Sequence, residues 1–234
     1  MEYEVKNAPL PVLICKLQPG ESIECQKGAM SWMTTTMSMN TGFGSGGGGG
    51  VLGALGKMAR SAVTGESVFR NTYCATGGEG MIAFAATFPG NIMCFDVSRS
   101  GIVAQKSAYL ANTPGVNMNI FFQKKIGAGL FGGEGFIMQR FSGNGMVFLE
   151  INGCVCEYVL GAGQSMMVDT GYLAAMEETC SVDVEGVKGI GNALLGGEGL
   201  FNTRVTGPGR IWLQTMPANV LASAIQPYIV VKSS

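Results

Sequence analysis

Apolar residues in this chain come in short runs, broken at regular intervals by glycine, proline and other turn formers. Pro11-Val12-Leu13-Ile14-Cys15-Lys16-Leu17 runs into Gln18-Pro19-Gly20-Glu21, which reads as a strand and then a turn. Residues 81–84, 92–95, 146–149, 155–159 and 210–213 read the same way. Several of these segments are apolar on both faces, the pattern of strands held between two layers. Gly143-Asn144-Gly145 and Gly207-Pro208-Gly209 stand before such strands and read as glycine-rich hairpin tips. Helical spacing occurs twice. Leu52, Leu55, Ala59 and Ala62 mark a short amphipathic helix over 51–63, and residues 218–225 form a second between Pro217 and Pro227. A short strand over 228–231 follows, and the five consecutive glycines Gly46 to Gly50 predict a flexible loop within 42–50.

The pattern also repeats. Leu17, Gly20, Ser22, Gly28 and Met33 recur without a gap as Leu160, Gly163, Ser165, Gly171 and Met176, and the spacing from Gly90 to Tyr109 returns from Gly153 to Tyr172. A period of roughly sixty residues implies one supersecondary unit used several times, each burying an apolar face against its neighbours. The expected organisation is an all-β chain of three antiparallel β-sandwich lobes, 1–89, 90–152 and 153–216, in one repeat-built domain (1–216) with a tail (217–234). A glycine-flanked glutamate closes each repeat: Gly65-Glu66-Ser67, Gly133-Glu134-Gly135 and Gly197-Glu198-Gly199. Gly77-Gly78-Glu79-Gly80 copies that signature, but its position puts it at a hairpin tip before Met81.

Composition narrows the function. Only 13% of residues are charged against about a quarter in an average domain, which points to surface buried in an assembly. The net charge of −1 comes from well-mixed signs, so no basic stripe exists to neutralise phosphates and nucleic-acid binding is disfavoured. Histidine is absent from the sequence, which removes Ser-His-Asp and Cys-His catalysis and His-ligated zinc. The seven cysteines form no Cys-x-x-Cys pair and sit among apolar residues, as reduced core thiols of a cytosolic protein do. The N-terminal residues carry neither a signal core nor a transit-peptide composition, and no apolar run is long enough to span a bilayer; a cytoplasmic location is expected.

Candidate chemistry is sparse. Glu66, Glu134 and Glu198 are the best ligand-binding candidates, because three symmetry-related carboxylates can converge on a cation or basic ligand. The competing reading is that each caps a glycine turn by accepting backbone N–H groups. Gly46 to Gly50 lacks the Lys-Ser/Thr ending of a phosphate loop. Met33, Met37 and Met39 alternate in a Thr-rich run, as one face of a strand would, and read as core or subunit interface. No catalytic residue, metal ligand set or cofactor motif stands out.

Gly65-Glu66-Ser67-Val68-Phe69, Gly90-Asn91-Ile92, Leu130-Phe131-Gly132-Gly133-Glu134-Gly135 and the Pro208-Gly209 turn, in that order, resemble the altered-inheritance-of-mitochondria family over nearly the whole chain. The resemblance implies a fold like the tryptophan RNA-binding attenuation protein, with β-sandwich lobes repeated in one chain and assembled into rings, commonly trimers. It implies no catalytic residues. The expected function is therefore a non-enzymatic oligomeric β scaffold or interaction protein whose partner is itself, as a homotrimer. The alternative is a small-ligand or metal-binding module at lobe or subunit junctions, and RNA binding ranks below both.

Overall fold

The computed structural model describes residues 1–6, 9–40, 70–124, 135–186 and 201–229. Among them lie nineteen strands and one short α-helix. After β1 (Glu2–Lys6) come β2 (Val12–Leu17), β3 (Ser22–Gln26), β4 (Trp32–Met33), β5 (Met37–Asn40), β6 (Arg70–Ala75) and β7 (Gly80–Ala85). The next six are β8 (Gly90–Asp96), β9 (Ile102–Gln105), β10 (Tyr109–Asn112), β11 (Val116–Lys124), β12 (Phe136–Gly143) and β13 (Met146–Asn152). The last six are β14 (Val155–Leu160), β15 (Ser165–Asp169), β16 (Leu173–Glu177), β17 (Ser181–Gly186), β18 (Phe201–Thr206) and β19 (Gly209–Gln214). Helix α1 (Ala218–Ile225) follows, on the residues its spacing predicts.

Within each six, the first strand pairs with the last, as β2 with β7, β8 with β13 and β14 with β19. The third also pairs with the last, and the fifth lies between the second and the fourth. All of these pairings are antiparallel. The glycine-marked turn between first and second strands holds Gly20 at φ 86° and Gly163 at φ 74°, a left-handed conformation that accounts for the repeated Leu-x-x-Gly-x-Ser signature.

The pairings build four sheets: β1-β2-β7-β4, β5-β6-β3-β10-β13-β8, β11-β12-β9-β16-β19-β14 and β15-β18-β17. They stack as layers, because three apolar cores lie between successive sheets. The first core joins Leu13 and Phe84 of the first sheet to Ile23 and Phe148 of the second. The second joins Val147 and Leu149 to Ala104, Phe141 and Trp212 of the third, and the last joins Val103, Met138 and Ile211 to Val168 and Val205 of the fourth. Strand alternation does this directly. In β13, Phe148 points into one core while Val147, Leu149 and Ile151 point into the next. Runs that are apolar on both faces occur in the strands of the inner two sheets, such as β13, and also in β2 and β7 of the first sheet.

Several expectations need correction. Residues 143–145 and 207–209 are not hairpin tips. They join β12 to β13 and β18 to β19, whose strands belong to different sheets, so the chain crosses from one layer to the facing one. Residues 77–80 likewise carry the chain from β6 in the second sheet to β7 in the first. Met33, Met37 and Met39 do not share a strand, since a turn over 35–36 separates β4 from β5. Met37 is buried and Met39 exposed. Tyr228 ends a 3-10 turn (Gln226–Tyr228) instead of opening a strand. Residues 42–50, the helix expected over 51–63 and residues 230–231 lie outside the described residues.

Candidate functional site

The most informative geometry is where one group of six strands meets the next. The second strand of one group lies beside the third strand of the following group. In the second sheet β3 meets β10, with Cys25 opposite Ala111 and Glu24 opposite Asn112. In the third sheet β9 meets β16, with Ala104 opposite Ala175 and Val103 opposite Met176. Cys25 and Ala104 face the first and second cores, so the two registers correspond.

The first junction is also pinned by polar groups. Arg70 donates to buried Glu24 at 2.6 Å, Asn112 Nδ2 donates to the same carboxylate at 3.3 Å, and the Tyr109 hydroxyl donates to Asn112 Oδ1 at 2.5 Å. Burial pushes the Tyr109 phenol well above its ordinary range. At the second junction Gln214 Nε2 donates to Gln105 Oε1 at 3.3 Å and to the Gly171 carbonyl at 2.9 Å. Paired buried polar groups of this kind fix a register, because a slip would orphan them.

The two end sheets lack this neighbour. Among the described residues, β4 is an outer strand of the first sheet and β15 an outer strand of the fourth. Large apolar side chains stay exposed on these strands, Trp32 on β4 at 47% and Met167 on β15 at 46%, and so does Tyr158 on β14 of the third sheet at 44%. An open hollow of about 630 Å³ at the ends of β1, β2 and β7 is lined by Glu2, Lys16, Thr34, Glu79 and Met81 among others.

Glu66, Glu134 and Glu198 all lie outside the described residues. Their connections are nonetheless placed by the strands around them. Residues 41–69, 125–135 and 187–200 each join the fourth to the fifth strand of a group, β5 to β6, β11 to β12 and β17 to β18. Among the described residues, no group of three Cys, Asp or Glu side chains is arranged to hold a metal ion. All seven cysteines are free thiols; Cys15, Cys25 and Cys180 are buried, and Cys154 is exposed. Desolvation pushes the Cys15 and Cys25 thiols up to about 12, which makes them packing groups and not nucleophiles. Trp32 and Met167 are the residues that the sequence reading missed. The signal for them lay in the repeat itself, which sets Met33 against Met176 before either strand is seen.

Layered antiparallel sheets define an all-β protein. The family model described as Mitochondrial biogenesis AIM24 matches residues 3–216, and the chain belongs to that family. An uncharacterised protein of Streptococcus pyogenes serotype M6 is 28% identical over 232 residues, covering 98% of this chain and 91% of that protein. The X-ray crystal structure of a Streptococcus pyogenes protein superposes with a TM-score of 0.78 at 24% identity, covering 97% of this chain and 99% of that one, and shares the fold. No helix among the described residues is long and apolar enough to cross a membrane.

Proposed function

We propose that the protein is a non-enzymatic, oligomeric β scaffold: three copies of one six-stranded lobe, divided near residues 90 and 153, that assemble with further copies of the chain into a homotrimer. One observation carries this reading. Each inner sheet is completed by strands from two successive groups, while the first and last sheets hold one group's share and leave apolar strand edges bare among the described residues. Bare edges of this kind template pairing unless another chain covers them. The low charged fraction of 13% fits a surface that assembly buries. Seven free thiols support a reducing, cytoplasmic setting. The test is mass measurement by light scattering over a concentration series. Three chains per particle is the expected result, and a single chain at every concentration would remove the proposal.

A second reading, ligand binding at lobe or subunit junctions, has its own support, because Glu66, Glu134 and Glu198 occupy the same connection in each group of six. A triple Glu-to-Ala variant in a thermal-shift screen of metal ions and metabolites separates the two readings. A ligand whose stabilising shift disappears in the variant would favour it. RNA binding finds no support in a chain of net charge −1.

A further inference from the structure

We infer that copies of this chain join head to tail: β4 of one copy lies antiparallel beside β15 of the next, with Trp32 opposite Val168 and Met33 opposite Met167. This rests on the scaffold reading above and supplies its interface.

The register follows from correspondence with the two junctions inside the chain. Opposite the last strand of each group, Ala111 faces Phe148, Ala175 faces Trp212 and Trp32 faces Ala83. One residue further on, Asn112 faces Val147, Met176 faces Ile211 and Met33 faces Ile82. Trp32 and Met33 therefore hold the places of Ala111–Asn112 and Ala175–Met176. On the other side, Cys25, Ala104 and Val168 each face the core of their own group, and Glu24, Val103 and Met167 are the neighbours pointing the other way. The internal pairs are Ala111 with Cys25 and Ala175 with Ala104, then Asn112 with Glu24 and Met176 with Val103. The third set in this series is Trp32 with Val168 and Met33 with Met167, on outer strands of the first and last sheets.

Side-chain packing extends the match. Phe95 of β8, opposite Val147, packs edge-on against Trp212 of the following group at 5.0 Å. Tyr158 of β14, opposite Ile211, holds the same place in the last group and remains exposed. Trp212 itself corresponds to Ala83, beside which Trp32 stands. Docking the fourth sheet of one copy to the first sheet of the next sets Tyr158 over Ala83 and Trp32, so an aromatic–aromatic contact again closes the joint. The joined sheet runs β17-β18-β15-β4-β7-β2-β1, the six-strand order of the inner sheets with β1 added. Such a contact is heterologous, and it closes into a ring when its rotation divides a full turn.

The test uses full-length Met33→Lys and Met167→Glu chains, separately and mixed, with mass read by light scattering and fold by circular dichroism. Each variant alone is expected to associate roughly 100-fold more weakly than wild type, because every joint then buries an unpaired charge. Equal mixing is expected to restore association in part, since around a mixed trimer one joint is unaltered, one sets the introduced lysine against the introduced glutamate, and only one keeps an unpaired charge. Met167→Glu assembling like wild type would overturn the inference, because a joint through β4 alone is blind to that change. If either variant fails to fold, disulfide formation decides. Differently tagged Met33→Cys and Met167→Cys chains, both carrying Cys154→Ser, should cross-link to each other on mild oxidation, and cross-linking only between like chains would overturn the inference. A wild type that stays a single chain removes the scaffold reading as well, whereas an assembled wild type indifferent to both variants removes this joint alone.

Discussion

Glu150 on β13 is held in a place that favours its neutral form. Burial raises its carboxyl pKa, against the pull of backbone N–H groups, of which that of Thr87 donates at 2.9 Å. With the folded value above the unfolded one, the group's contribution is intact below the ordinary carboxylate range and is lost as pH rises through the folded value. Glu150→Gln, neutral at every pH, should therefore melt above wild type near about pH 8, with the gap closing toward about pH 4. A gap independent of pH, read by differential scanning calorimetry, would refute this. Tyr109 makes a different prediction. Its hydroxyl is the donor to buried Asn112 Oδ1, so Tyr109→Phe leaves an acceptor without that partner inside the first junction. The expected loss is about 2 kcal/mol in urea unfolding, with no change in the denaturant slope.

At the scale of elements, the tail allows a clean separation. Helix α1 has no buried residue, although Pro217 just before it is buried. Removing residues 218–234 should change the stability of the sheets by less than about 1 kcal/mol, measured as a urea midpoint. A larger loss would mean that the tail covers one of the layers. This helix was legible in the sequence because two prolines bracket one run of helix formers. Strands β2, β7, β8, β13, β14 and β19 were legible because apolar runs between turn residues leave little else for those segments to be. The glycine-rich connections were misread for a physical reason. A glycine at positive φ, such as Gly209 at 147°, reverses the chain equally well within a sheet or from one layer to the next. Only the distant strands β14 and β16, which claim β19, decide between the two. Trp32 was silent for a similar reason: an apolar residue on an outer strand looks in sequence like any core residue, and only the missing neighbour makes it informative.

For the whole molecule, the sharing of cores between layers sets where protection against hydrogen exchange should lie. Strands β9, β10, β13 and β16 are interior to six-stranded sheets and largely buried on both faces, so their amides open only with global unfolding. The outer strands β4 and β15 have one unpaired side among the described residues and should exchange early in a dilute sample. Raising the concentration through the assembly range separates a head-to-tail joint from other modes of association. If copies continue the layered order, protection should rise at β4 and β15 together, while β8, the outer strand at the far side of the second sheet, keeps its rate. A rise at β8 or β14 would place the contact on the opposite rims of the sheets. Simultaneous protection of two strands so far apart in sequence would have a direct cause in the stacking, since the first and last sheets each hold the strands of one group, where an inner sheet holds strands of two successive groups.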